Sequence, residues 1–155
     1  MTRTAEHEGS VEARARSRVG TWLKSKYHLD RVLGIGGMAA VYAATHRNKA
    51  ELAVKMLHPE LSGREDIRNR FVREGYVANS VKHPGAVLVV DDDVTDDGVA
   101  FLVMELLQGA TLEGLLMKAG RLPPQAVVSV GYDLLDVLAA AHAKSIVHRD
   151  IKPAN

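Results

Sequence analysis

The chain has 155 residues, 46% of them hydrophobic and 25% charged, a composition that supports a folded core and argues against a disordered or fibrous chain. Its 20 basic and 19 acidic side chains leave a net charge of +1, which gives no electrostatic argument for nucleic acid or an anionic membrane as a partner. The absence of cysteine excludes a disulfide framework, a zinc–thiolate site and a cysteine nucleophile, and fits a cytoplasmic, reducing setting.

No apolar run approaches the length of a membrane span, and the charged first residues lack the apolar core of a secretory signal. Residues 1–21 read as a disordered polar leader, locally basic through Glu12-Ala13-Arg14-Ala15-Arg16-Ser17-Arg18. Structure is expected from Trp22. Tyr27, Leu29, Arg31 and Leu33 fall on one face of a first strand and Val32 on the other. Gly34-Ile35-Gly36-Gly37 forces a turn, Val41–Thr45 resumes as strand, and Leu52–Leu57 forms a third that His58-Pro59 ends.

A helix is expected from Ser62 or Gly63 to Val81, with Ile67, Phe71, Ala78 and Val81 on its apolar face, Glu74 centred on that face and Gly75 loosening it. His83-Pro84-Gly85 stops it. Two apolar strands, Val87–Val90 and Val99–Met104, flank a turn at Asp96-Asp97-Gly98. Thr111 caps a short helix through Met117, closed by Gly120. Pro123-Pro124 opens a long helix ending near Lys144, with Val127, Val130, Leu134, Leu138 and Ala141 on its apolar face.

Several residues carry chemistry. Gly34-x-Gly36-x-x-Ala39-x-Val41 could bring bare backbone amides up to phosphate oxygens or be a plain hairpin turn. A strand follows these glycines, whereas a dinucleotide-binding loop needs a helix there, so an oxidoreductase reading fails. Lys55, in Ala53-Val54-Lys55, is either a surface lysine or a phosphate ligand. Glu74 either reaches solvent or is buried against a cation, for which Lys55 is the candidate. Met104-Glu105-Leu106-Leu107 closes the last apolar strand and could be an edge running into a helix cap.

The closing run His148-Arg149-Asp150-Ile151-Lys152-Pro153-Ala154-Asn155 resembles the catalytic loop of the protein kinase family, H-R-D-x-K-x-x-N. The upstream motifs stand in that family's order, so the resemblance covers residues 27–155; Lys152 makes it similar to the serine/threonine class, and Gly36-Gly37-Met38 with Val147–Asn155 resemble bacterial members.

The resemblance implies an α+β, protein-kinase-like fold: a five-stranded antiparallel sheet and one αC-type helix over residues 22–107, then the first helices of a mostly helical lobe over 108–155. It implies ATP and Mg²⁺ as cofactors and a protein substrate with a serine or threonine hydroxyl. Leu33, Gly34, Gly36, Gly37, Val41, Ala53, Lys55, Glu74, Met104, Glu105 and Leu107 would serve the nucleotide. Asp150 would accept the hydroxyl proton, Lys152 would neutralise the transferring phosphate, and Asn155 would hold the metal. His148 would pack and hydrogen-bond within the loop, and Arg149 would face a phosphorylated activation loop.

No residue matches the family's Asp-Phe-Gly aspartate, so the resemblance implies that this chain alone transfers no phosphate. The alternative is a non-catalytic nucleotide-binding or scaffold module. Lys152 disfavours a small-molecule phosphotransferase of the same fold. The helix from Pro124 lacks partners for its apolar face, so self-association through it is expected.

Overall fold

The computed structural model describes residues 2–154. Helix α1 (Thr2–Ser17) precedes β1 (Trp22–Leu23), β2 (Tyr27–Ile35), β3 (Ala39–His46), β4 (Glu51–Leu57), the short α2 (Pro59–Ser62), α3 (Glu65–Val81), β5 (Val89–Val94), β6 (Ala100–Glu105), α4 (Leu112–Ala119) and α5 (Pro124–His142). The strands make one antiparallel sheet in the order β1-β2-β3-β4-β6-β5, so the five expected strands are joined by the two-residue β1. The fold is α+β, as expected. Two compact units divide the chain: residues through Tyr76 with Leu88–Leu106, and Val77–Val87 with the residues from Leu107 onward. Among the described residues no helix is long and apolar enough to cross a membrane.

In the first unit the sheet has two covered faces. Strand side chains alternate, so the β3–β4–β6 register puts Ala40, Tyr42, Ala44, Val54, Met56, Phe101 and Val103 on one face, packed with Tyr27 and Leu29 of β2. Ala39, Leu57, Ala100 and Leu102 form a second cluster with Phe71 of α3. Each large side chain so buried contributes about 1.5–3 kcal/mol.

The segment expected as a disordered leader carries α1. The small side chain of Ala15 is buried in the first cluster, and the Tyr42 hydroxyl donates to the Ala15 carbonyl at 3.0 Å. Arg14 pairs with Glu60 at 2.5 Å and Arg18 with Asp97 at 2.6 Å. The basic run therefore meets carboxylates of its own chain.

The face assignment of β2 also differs from the alternation read in its sequence. The register slips between Leu29 and Arg31 and again between Val32 and Gly34. A bulge moves the following residues to the opposite face, so Val32 continues the core below Leu29 while Arg31 and Leu33 are exposed. The Asp30 carboxylate at the slip accepts hydrogen bonds from Thr45 Oγ1 at 2.7 Å and His28 Nδ1 at 2.6 Å.

On α3, Phe71 is buried and Glu74 is exposed; the inward residue beside Glu74 is Gly75. A Cβ on Gly75 would stand 2.4 Å from Leu102 Cδ1. Gly75 thus does more than loosen the helix: it lets α3 approach a side chain that is 1% exposed.

In the second unit, Thr111 caps α4 by accepting the Gly114 N–H at 3.1 Å, and Gly120 ends it with φ 71°. Along α5, Val130, Leu134, Val137 and Leu138 are half-buried and Ala141 is buried, whereas Val127, expected on that face, is 55% exposed. Val128, Tyr132 and Leu135 make a second, exposed apolar stripe at 71%, 72% and 66%. The turn after α3 packs on α5 through His83 Nε2 and Asp136 Oδ2, 3.0 Å apart.

Two predictions follow from this packing. Alanine in place of glycine favours a helix by about 1 kcal/mol, while overpacking a core costs about 1–3 kcal/mol. Gly75→Ala is expected to lower the urea midpoint, and to raise it in a Leu102→Val background that removes the clashing methyl.

The second concerns Asp91. Its Oδ2 accepts hydrogen bonds from Lys26 Nζ and the Tyr27 hydroxyl, both at 2.6 Å. The Lys26 ammonium first, and the Tyr27 hydroxyl second, hold the Asp91 carboxyl below its usual range. A depressed value means that the fold favours the carboxylate. That stabilisation is complete above about pH 4, the ordinary aspartate value, and lost as pH falls through the depressed one. Asp91→Asn should lower stability at neutral pH and flatten its fall below about pH 4, measured by urea unfolding across an acid series.

Candidate functional site

The turn between β2 and β3 is closed by the Gly36 N–H donating to the Ala39 carbonyl at 2.9 Å. Gly34 lies opposite Val41 in the ladder, and Ile35 opposite Ala40. Neither Gly34 nor Gly37 has a positive φ, and a Cβ on either would meet nothing within 4 Å. The fold itself does not require glycine at these positions; what glycine keeps clear is space outside the chain. Ala39, in the place of the motif's third glycine, begins β3 and buries its methyl in the cluster with Leu57 and Phe71.

Below this turn the register assembles two rows on one sheet face. Val41, Lys55 and Leu102 lie side by side, as do Ala43, Ala53 and Met104. The alternation left open by the sequence is thereby resolved: Val54 and Met56 point into the first core cluster, and Lys55 shares the opposite face with Ala53 and Leu57. Lys55 is exposed, and its Nζ stands 5.7 Å from the centroid of the Phe71 ring, within cation–π range. Leu33 is 40% exposed on β2. Met104 packs half-buried against the α3 cluster. Glu105 is engaged twice by Leu88: its N–H donates to the Leu88 carbonyl at 3.0 Å, and its Oε1 accepts the Leu88 N–H at 2.7 Å. Leu107 is 66% exposed in the second unit.

Lys55 and Glu74 are not brought together. Glu74 Oε1 accepts a hydrogen bond from Arg70 Nε at 2.7 Å on the outer side of α3. Among the described residues no carboxylate comes within ion-pair distance of Lys55. The cause is helical phase. With Phe71 and Gly75 facing the sheet, Glu74 is turned away by about 100° from its neighbour.

In the second unit, α5 ends in a turn where the Ile146 N–H donates to the Ala141 carbonyl at 3.0 Å, and Lys144 bonds the Ser80 carbonyl. In the run that follows, Arg149 adopts φ 66°, a left-handed conformation unfavourable for a residue with a side chain. His148 Nδ1 accepts the Asp150 N–H at 3.3 Å, and Lys152 Nζ reaches both Asp150 oxygens at 3.1 and 2.9 Å. The Pro153 carbonyl accepts the Glu113 N–H at 2.8 Å, which ties the loop to the start of α4. The result is an exposed carboxylate, charge-balanced by a lysine two residues on, able to accept a proton from a hydroxyl. Asn155 lies outside the described residues. Among the described residues no group of three or more histidine or acidic side chains could hold a metal ion.

Three residues at this site escaped the sequence reading. The sequence marks Phe71 only as core. Arg70 stands four residues before Glu74, a spacing that itself signals a helical ion pair. The sequence marks His58 only as a strand end, yet its Nε2 lies 2.7 Å from the Gly36 carbonyl oxygen; no spacing rule reveals that contact.

The family profile for the protein kinase domain matches residues 27–155. The chain belongs to the protein kinase domain family. Its relatives are bacterial serine/threonine kinases. It is 39% identical over 140 residues to the serine/threonine-protein kinase PknH of Mycobacterium bovis, covering 90% of this chain and 23% of that protein. It is 36% identical to PrkC of Bacillus subtilis, covering 88% of this chain and 21% of that one. Among solved structures, the PknI kinase domain of Mycobacterium tuberculosis superposes with a TM-score of 0.70 at 29% identity, over 88% of this chain and 55% of that one. The chain thus spans about a fifth of the length of the curated relatives it matches.

Proposed function

We propose that this chain is the nucleotide-holding part and the start of the catalytic part of an ATP-dependent serine/threonine protein kinase. In this reading residues 22–107 serve the nucleotide and 108–155 begin the catalytic lobe. The observation that carries it is the sheet face under the glycine turn. Ala53 and Met104 in one row and Val41 in the next offer an apolar surface for a base, Lys55 adds a cation beside Val41, and Gly34 and Gly37 keep space the fold does not need.

Leu33 would add to the apolar rim, and the backbone of Glu105 and Leu107 would meet the edge of the base. Asp150 would orient and deprotonate the serine or threonine hydroxyl of a protein substrate, and Lys152 would balance the charge that develops on the phosphate. Mg²⁺, when bound with ATP, would neutralise phosphate charge, with Asn155 as the ligand the motif supplies. The lack of cysteine supports a cytoplasmic setting.

A second reading, a nucleotide-binding scaffold without catalysis, is favoured by one observation: Lys55 is over Phe71 and Glu74 is with Arg70. Titration calorimetry with ATP tests both. The wild-type chain is expected to bind, and Lys55→Met to weaken binding at least about tenfold. The same chain is expected to transfer no phosphate from radiolabelled ATP to a generic substrate. Robust transfer would exclude the scaffold reading; no binding by the wild-type chain would remove both.

The exposed stripe Val128, Tyr132 and Leu135 supports self-association through α5. Light scattering after size exclusion is expected to give a mass that rises with concentration, and the double variant Tyr132→Glu/Leu135→Glu to give the monomer mass throughout. A wild-type chain that stays monomeric at every concentration refutes the idea.

A further inference from the structure

His58 sits between β4 and α2, behind the glycine turn, and is 8% exposed. Its Nε2 is 2.7 Å from the Gly36 oxygen. A carbonyl oxygen can only accept, so Nε2 carries the hydrogen. The His58 backbone N–H donates in turn to the Met38 carbonyl at 2.9 Å. One residue therefore holds carbonyls on both sides of Gly37.

His58 is itself fixed. It stands at the N-cap of α2, where its carbonyl accepts the Leu61 N–H at 2.9 Å and the Ser62 hydroxyl at 3.3 Å. Pro59 has a fixed φ and restricts His58 before it to extended backbone, and Glu60 pairs with Arg14 of α1 at 2.5 Å. The ring is anchored on the body of the first unit, whereas Gly36, Gly37 and Met38 are exposed.

The peptide plane converts this contact into a direction. In a trans peptide the C=O of one residue and the N–H of the next point to opposite sides. Drawing the Gly36 carbonyl toward His58 turns the Gly37 N–H away from it. Among the described residues no acceptor receives that N–H, and the position a Gly37 Cβ would take has no neighbour within 4 Å. An aimed, unshared amide in open space is what an anionic oxygen needs.

We infer that His58 is a positioning residue for the glycine turn: by holding the Gly36 and Met38 carbonyls it presents the Gly37 amide to the phosphates of the nucleotide. This rests on the nucleotide reading above. It also assigns α1 a part, through Arg14 and Glu60, in fixing the segment on which His58 stands.

The test compares wild type with His58→Phe, which fills the space without a donor, and His58→Gln, whose amide restores a donor. Two measurements are made on the full chain: hydrogen exchange at the amides of Gly36 and His58, which donate to the Ala39 and Met38 carbonyls, and affinities for ATP and for adenosine. Loss of one such hydrogen bond is expected to speed exchange and weaken ATP about fivefold in His58→Phe, with adenosine unchanged and His58→Gln close to wild type. A residue that merely packs would affect both ligands equally or neither. Wild-type exchange at these amides in His58→Phe overturns the latch. Faster exchange with unchanged ATP affinity overturns its role toward phosphate. If the wild-type chain binds neither ligand, the nucleotide reading fails, and exchange alone still shows whether His58 holds the turn.

Discussion

The seating of α3 on the sheet rests on Phe71, which is buried in one cluster with Ala39, Leu57 and Leu102. Truncating a buried phenylalanine costs about 3–5 kcal/mol, more than any polar contact of this helix can supply. Gly75, one turn further on, has no side chain and so allows the helix to come down onto Leu102. Together the two positions set the rotation of α3 about its own axis. The outward direction of Glu74 is a consequence of that rotation, and so is its partnership with Arg70. The Phe71 ring also lies under the Lys55 ammonium. The same side chain therefore seats the helix and bears on the one cation of the adjoining row.

Much of this was legible in the residues. Period-two alternation with glycine and aspartate turns located the main strands, and the Thr111 and Gly120 caps fixed α4, because each rests on local chemistry that little else can satisfy. The failures share a cause: they depend on partners distant in sequence. The bulge in β2 reverses its faces because the chain must pair with β3, and nothing within Tyr27–Leu33 announces it. Glu74 read as central to the apolar face because Gly75 counts as no side chain at all, although its emptiness is what the sheet uses. The polar composition of α1 hides the small buried Ala15 and Arg14, whose partner lies at Glu60, and just beyond the helix Arg18 finds its partner at Asp97. For the candidate site, the residue types could be read from the motif, but whether Lys55 meets Glu74 could not.

Helix α5 shows the converse, a pattern clearer than its packing. An apolar residue occurs on nearly every side of it, which is the composition of a helix enclosed by protein. Within this structure one side is half-buried, and the stripe from Val128 through Leu135 faces outward. The apolar pattern alone does not single out the covered stripe, and Val127, which shares the phase of Val130, Leu134 and Leu138, is exposed in the first turn of the helix. Charge does not resolve it either, since Asp133 and Asp136 lie between the stripes and Asp136 is turned toward His83.

The partners that Lys55 and Glu74 take instead of each other are held by weak contacts. An exposed i,i+4 pair such as Arg70–Glu74 is screened by water and adds little. A cation over an aromatic ring at an exposed site contributes about 0.5–1 kcal/mol. Neither approaches the packing of Phe71, which fixes where the helix lies but leaves long side chains on its edge free to choose partners. A ligand that interacts with Lys55 changes the balance by its differential affinity for the two arrangements, and a tenfold preference, about 1.4 kcal/mol, exceeds what the ring supplies. Bringing Glu74 across as well demands more, because the turn of about 100° between positions 74 and 75 is a backbone property that no rotamer change removes. Pairing the two therefore requires α3 to roll, and Gly75 against Leu102 is the contact that must yield first, since a roll that brings Glu74 inward carries Gly75 off the leucine that its missing side chain accommodates.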